Sequence, residues 1–212
     1  MRASEETILL DGPAGAIELI VDNPGAPRGI ALVCHPHPLF GGTNTNKVTQ
    51  TLARTFAHLG YVALRPNFRG VGKSAGTHDE GRGECADMLA VLAEAKRRFG
   101  DLPVALAGFS FGAYVQTRVA QALTEANHPA QRLVLVGTAA GHVEGARQYA
   151  AQAVAADTIV IHGAADTTVP LANVLAWAEP LELPVIVIAG ADHFFHRRLQ
   201  LIRDIVTRAW QH

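Results

Sequence analysis

The sequence predicts an α/β fold: a mostly parallel sheet of about eight strands with helices on both faces. Two observations carry this. Short β-branched runs alternate with longer segments of helical period along the chain, the pattern of a parallel sheet covered on both sides. The two runs nearest the N-terminus are instead separated only by a turn, which adds an antiparallel hairpin at one edge. No fixed repeat and no low-complexity tract interrupts this order, so residues 1–212 are expected to form a single domain.

The elements follow in order. Runs at 7–10 and 17–21 flank Asp11-Gly12-Pro13, a turn signal, and make the hairpin. After Pro24-Gly25-Ala26-Pro27 comes a strand over Gly29–Cys34, then a helix over 46–59 and a strand over 61–65. A loop holding Gly70, Gly72 and Gly76 leads to a helix over 84–99, a strand over 103–107 and a helix over 113–123. Strands at Arg132–Val136, 158–161 and 184–188 should be separated by helices, and a helix over 197–210 closes the chain.

Composition narrows the function classes. Hydrophobic residues make up 49% of the 212 residues, enough for one sizeable core, and charged residues only 17%, too few for a solvated tail. Eighteen Lys and Arg against nineteen Asp and Glu leave a net charge of −1, with no electrostatic reason for a nucleic-acid or acidic-membrane partner. Cys34 and Cys85 are the two cysteines, too few for a disulfide framework, and Cys34 ends an apolar run as a small buried hydrophobe. The start, Met1-Arg2-Ala3-Ser4-Glu5-Glu6, lacks the basic and apolar regions of a signal peptide, and no run is long enough to span a membrane. A cytoplasmic location is the expectation.

Gly108-Phe109-Ser110-Phe111-Gly112 fits G-x-S-x-G between a strand and a helix, the context of a nucleophile elbow. The turn is tight enough that side chains at 108 and 112 would meet neighbouring backbone, while Ser110 is held strained and exposed at a helix N-terminus. A serine hydroxyl attacks near neutral pH only when a base takes its proton, and the base needs an acid to orient it. Both partners are expected at later strand ends, in the order acid then histidine. His162-Gly163-Ala164-Ala165-Asp166 follows one such strand and Gly190-Ala191-Asp192-His193 the next, making Asp166 the candidate acid and His193 the candidate base. Asp192 adjoins His193, and adjacent side chains rarely face each other, so it reads as a loop or cap residue. His162 reads as structural, and His58, His78 and His128 as surface positions.

An acyl-transfer intermediate needs two N–H donors for its oxyanion. One is expected from Phe111; the other from the loop His35-Pro36-His37-Pro38-Leu39-Phe40-Gly41-Gly42. The prolines carry no N–H, which leaves His37, Leu39, Phe40 or a later glycine, and Leu39 is favoured because two prolines stiffen the loop before it. A zinc site on His35 and His37 lacks a completing cluster, and His193-x-x-His196 is a weak pattern, so no metal is expected. Gly72-Lys73-Ser74 ends like a phosphate-binding loop but has Asn67 where a glycine is needed. Gly70-x-Gly72-x-x-Ala75 meets a loose dinucleotide fingerprint without a helix start behind it. No cofactor is expected, and the segment reads as a loop beside the site.

Together these residues resemble the α/β-hydrolase superfamily, and within it the small lid-less bacterial serine hydrolases related to dienelactone hydrolases and prolyl-oligopeptidase-type catalytic domains. The resemblance spans nearly the whole chain. Its motifs are 34–43, 65–74, the elbow, and the loops of Asp166 and His193. It supports Leu39 as the second donor. Dienelactone hydrolases typically carry cysteine where Ser110 stands, so their substrate does not transfer.

The resulting expectation is hydrolysis of a carboxylic ester or thioester of a small, largely apolar molecule through an acyl-enzyme on Ser110. A peptidase or acyl-thioesterase on the same triad is the alternative chemistry, and a non-catalytic binding protein of this fold the alternative class. Phe40, Phe109, Phe111, Phe194 and Phe195 flank the motifs as pocket or core residues, with Phe109 assigned to the core. Arg197, Arg198, Arg203 and Arg208 read as the solvated face of the last helix. Only about one helix fits between the strand at Arg132–Val136 and the next, so no cap domain and an open site are expected. Oligomeric state is not legible.

Overall fold

The computed structural model describes residues 4–143 and 147–210; the reading of Met1-Arg2-Ala3 lies outside them. Strands β1 (Ser4–Gly12) and β2 (Gly15–Asn23) form the hairpin, followed by β3 (Gly29–Cys34), α1 (Lys47–His58), β4 (Tyr61–Pro66), α2 (Arg82–Phe99), β5 (Val104–Phe109), α3 (Phe111–Glu125) and β6 (Arg132–Val136). Then come β7 (Gly141–Val143), β8 (Arg147–Tyr149), β9 (Ile159–Gly163), α4 (Leu171–Ala178), β10 (Val185–Ile188) and α5 (Leu199–Trp210). Eight strands form one sheet in the order β1-β2-β4-β3-β5-β6-β9-β10; β7 and β8 pair separately. β1–β2 and β2–β4 are antiparallel, and every other pairing in the large sheet is parallel.

The central strands β3, β4 and β5 are buried at every residue, which is why their sequences are apolar runs rather than alternations. Alternate residues nevertheless serve different cores. Ile30, Leu32 and Cys34 face a cluster with Met88 and Val91 of α2 and Val115 and Val119 of α3. Ala31 and Val33 face the opposite cluster, with Leu52 and Phe56 of α1 and Ile202 and Val206 of α5. Helix α1 starts where the Asn46 side chain accepts from the amides of Val48 and Thr49. The hairpin is braced to the sheet by a buried pair in which Arg65 Nε and Nη2 donate to the two Asp22 oxygens at 2.8 and 3.1 Å.

Two expectations are corrected. The segment between β6 and β9 contains no helix among its described residues; it holds the short ribbon β7–β8, paired from Gly141↔Tyr149 to Val143↔Arg147. Helix α5 begins at Leu199, because Phe195 and Arg197 adopt left-handed φ values of 53° and 59° that a helix cannot contain. No described helix is long and apolar enough to cross a membrane.

Candidate active site

Ser110 stands between β5 and α3 with φ 57° and ψ −120°, a strained backbone for a residue with a side chain. Close packing imposes it. A Cβ on Gly108 would sit 2.4 Å from Gly112 O, and one on Gly112 would sit 2.4 Å from His35 O. The crowded turn lifts Ser110 out of the strand and leaves the Phe111 amide at the first turn of α3, where helix N–H groups have no internal acceptor. Ser110 is 7% exposed.

The acid and base come from the ends of β9 and β10, neighbours in the sheet. Ala164 N–H bonds Ile188 O and Ala165 N–H bonds Ala191 O, tying the two loops together. Asp166 Oδ1 accepts from the amides of Thr168 (2.9 Å) and Val169 (2.8 Å), which leaves Oδ2 for His193 Nδ1 at 2.7 Å. His193 Nε2 then lies 3.0 Å from Ser110 Oγ. Phe109, buried in the core as expected, supports the imidazole with its ring centroid 5.0 Å away. Ser110, Asp166 and His193, each from a different strand end, thus meet in one hydrogen-bonded line. Asp192 is turned away and instead caps the following turn, accepting from His196 N at 3.1 Å with His196 Nδ1 at 2.6 Å.

The oxyanion loop departs from expectation at Leu39. Its amide donates to His37 Nδ1 at 3.2 Å, so the favoured second donor is already engaged. The histidine ring caps a 3-10 turn over Pro38–Phe40 in the manner of a short polar side chain. Phe40 and Gly42 donate to His37 O and Gly41 to Pro38 O. For the His37 amide no acceptor is found among the described residues. Burial, reinforced by His78 and Arg147, holds the His37 imidazole down to about 4, so it is neutral at physiological pH. His35 is fully buried with both ring nitrogens on backbone, Nδ1 on Pro36 O and Nε2 on Phe68 N, and has no lone pair left for a metal. Among the described residues no three His, Cys, Asp or Glu side chains are grouped to hold a metal ion.

Ser110 and His193 open on a cavity of about 450 Å³ whose wall includes Phe40, Phe194, Thr168, Asn46 and Arg147. Of the five phenylalanines near the motifs, only Phe40 and Phe194 reach it; Phe109, Phe111 and Phe195 are buried in the core. Of two further residues at the site, His78 departs from its sequence reading and Arg147 was not singled out by the sequence. His78 is not a surface residue: its Nδ1 meets the buried Glu84 at 2.8 Å and its ring lies 4.7 Å from that of His37. Arg147, on β8, lies over the Phe40 ring at 4.2 Å, so the short ribbon covers part of a site expected to be open. The glycine-rich loop is anchored on β2, Ala75 N–H bonding Ala16 O, while Phe68 at its start packs against His35 and Phe111 beside the nucleophile.

The structure of an α/β serine hydrolase without lid from Xanthomonas campestris is 35% identical, with a TM-score of 0.84 over 100% of this chain and 95% of that one. The chain is an α/β serine hydrolase. A family model described as serine aminopeptidase, S33, matches residues 25–155 of this hydrolase. Protein RP471 of Rickettsia prowazekii is 41% identical over 125 residues, 57% of this chain and 52% of that one. The lysophosphatidylserine lipase ABHD12 of Rattus norvegicus is 35% identical over 105 residues, 48% of this chain and 26% of that one. The hydrolase thus spans about half the length of the first of these curated relatives and less of the second.

Proposed function

We propose that the chain is a serine carboxylesterase acting on small esters through an acyl-enzyme. The observation that carries this is the continuous line Asp166–His193–Ser110, opening on a cavity walled by Phe40 and Phe194. Ser110 Oγ attacks the ester carbonyl carbon while its proton passes to His193 Nε2. Asp166 holds Nδ1–H and the charge that develops on the ring. The carbonyl oxygen becomes an oxyanion, met by the amides of Phe111 and His37, the latter replacing Leu39 in this role. Collapse breaks the C–O bond, and His193 returns the proton to the departing alcohol. Water then attacks the acyl carbon with His193 again as base, releasing the acid and restoring Ser110.

A peptidase reading is favoured by the family model's description, serine aminopeptidase. The name of the ABHD12 relatives, a lipase, favours ester chemistry. A panel of matched acyl esters, acyl thioesters and peptide amides decides between them. Turnover of esters well above thioesters and amides supports the esterase; amides turned over as fast as esters would replace it with a peptidase, and thioesters with a thioesterase.

A further inference from the structure

A second cavity of about 610 Å³ adjoins that of the nucleophile and shares His37, Phe40 and Arg147 with it. Its wall carries the guanidiniums of Arg82 and Arg118 beside the carboxylate of Glu80. Of the two imidazoles there, His37 is neutral and His78 Nδ1 meets the buried Glu84 carboxylate at 2.8 Å. Arg82 meets Asp79 at 3.2 Å and Glu80 at 3.9 Å in exposed pairs that water weakens. Arg118 is placed differently. It lies over the Tyr114 ring, and its Nη1 donates to the Tyr114 hydroxyl at 3.2 Å. Among the described residues no carboxylate lies within ion-pair reach of Arg118. Tyr149 supplies no anion either, because burial pushes its hydroxyl's pKa up. Arg118 therefore presents to the cavity a guanidinium that meets a tyrosine hydroxyl and no carboxylate among the described residues, an arrangement that suits recognition of a carboxylate.

We propose that this cavity binds a carboxylate at the far end of the substrate's acyl chain, so that the preferred substrates are esters of ω-carboxylated acids. This rests on the esterase reading. The side of the molecule follows from proton transfer: His193 must reach the leaving oxygen, so the alcohol lies toward His193, Phe194 and Thr168. None of those three lines the second cavity, which meets the first at His37, Phe40 and Arg147, so the acyl half extends there. Reach follows from α3. Arg118 stands eight residues after Ser110, about 12 Å along the axis, with its side chain leaning back toward Tyr114. A chain of several methylenes spans that gap, passing the apolar face that Phe40 presents.

The test compares kcat/KM on umbelliferyl esters of linear acids with the same esters bearing a terminal carboxylate, over a series of chain lengths. Wild type, Arg118→Gln and Arg82→Gln are measured, with circular dichroism to establish folding. The wild type should favour the carboxylated ester by roughly tenfold to a hundredfold at its best chain length, the range of a charge-assisted bond. That preference should shrink at high salt and fall at least severalfold in Arg118→Gln. A wild-type ratio at or below one at every length overturns the proposal, as does a ratio unchanged in both variants. If Arg118→Gln does not fold, the wild-type ratio and Arg82→Gln still decide. Folded wild type that hydrolyses neither ester refutes the esterase reading, and with it this one. Hydrolysis of neutral esters without the preference refutes only the carboxylate site.

Discussion

Replacing Asp166 by Asn is the sharpest probe of how the imidazole is held. Asp166 Oδ1 accepts from the amides of Thr168 and Val169, so the Asn carbonyl oxygen is pinned to that side and its NH₂ must face His193 Nδ1. Two donors cannot share a hydrogen, so Nδ1 gives up its proton and the ring becomes the Nε2–H tautomer. Nε2, 3.0 Å from Ser110 Oγ, then donates where it must accept, and the nucleophile loses its base with little movement of atoms. The expected loss in kcat is roughly 10⁴-fold, about 5.5 kcal/mol of barrier. Asp192→Asn is the control: it disturbs only an exposed contact with His196 and should change kcat less than about twofold. Steady-state turnover of an activated ester, with thermal melts of both variants, measures this. An Asp166→Asn enzyme within tenfold of wild type, or a larger loss in Asp192→Asn, would refute the reasoning.

Gly112→Ala places a Cβ 2.4 Å from His35 O and 2.5 Å from Cys34 O, both backbone atoms, so β3 and α3 must part. Stability should fall by roughly 1–3 kcal/mol, read as a lower urea midpoint, together with turnover; an unchanged midpoint and rate would contradict it. Burial holds His35 down to about 4 from its ordinary 6.5, and its Nε2 is occupied as the acceptor for Phe68 N–H. The unfolded chain therefore binds more protons between those values. Stability is complete above about pH 6.5 and declines toward pH 4, by up to about 3 kcal/mol from this residue, with His37 acting in the same direction. Urea midpoints that stay flat or rise as pH falls through this window would contradict it.

The parts of the site legible in the sequence are those fixed by short-range rules. The elbow is five residues with backbone crowding at both glycines, and Asp166 and His193 each follow a β-branched run that ends a strand. The remainder depends on contacts no local pattern encodes. His78 is six residues from Glu84 but its ring neighbour, His37, is far away in the chain. The bond from the Leu39 amide to His37 Nδ1 was not legible, because a histidine capping its own loop is not among the usual capping side chains. Strands β7 and β8 are three residues each, too short for a period of two to show against an alanine-rich background. Arg147 consequently gave no sign of reaching Phe40.

The central claim, that Ser110 is a nucleophile activated by His193 and Asp166, is tested most directly with a fluorophosphonate probe and mass spectrometry of the labelled protein. One adduct on Ser110 in the wild type, absent in Ser110→Ala and strongly slowed in His193→Ala, is the predicted result. Folded wild type that takes no label, or label that persists in Ser110→Ala, would contradict it.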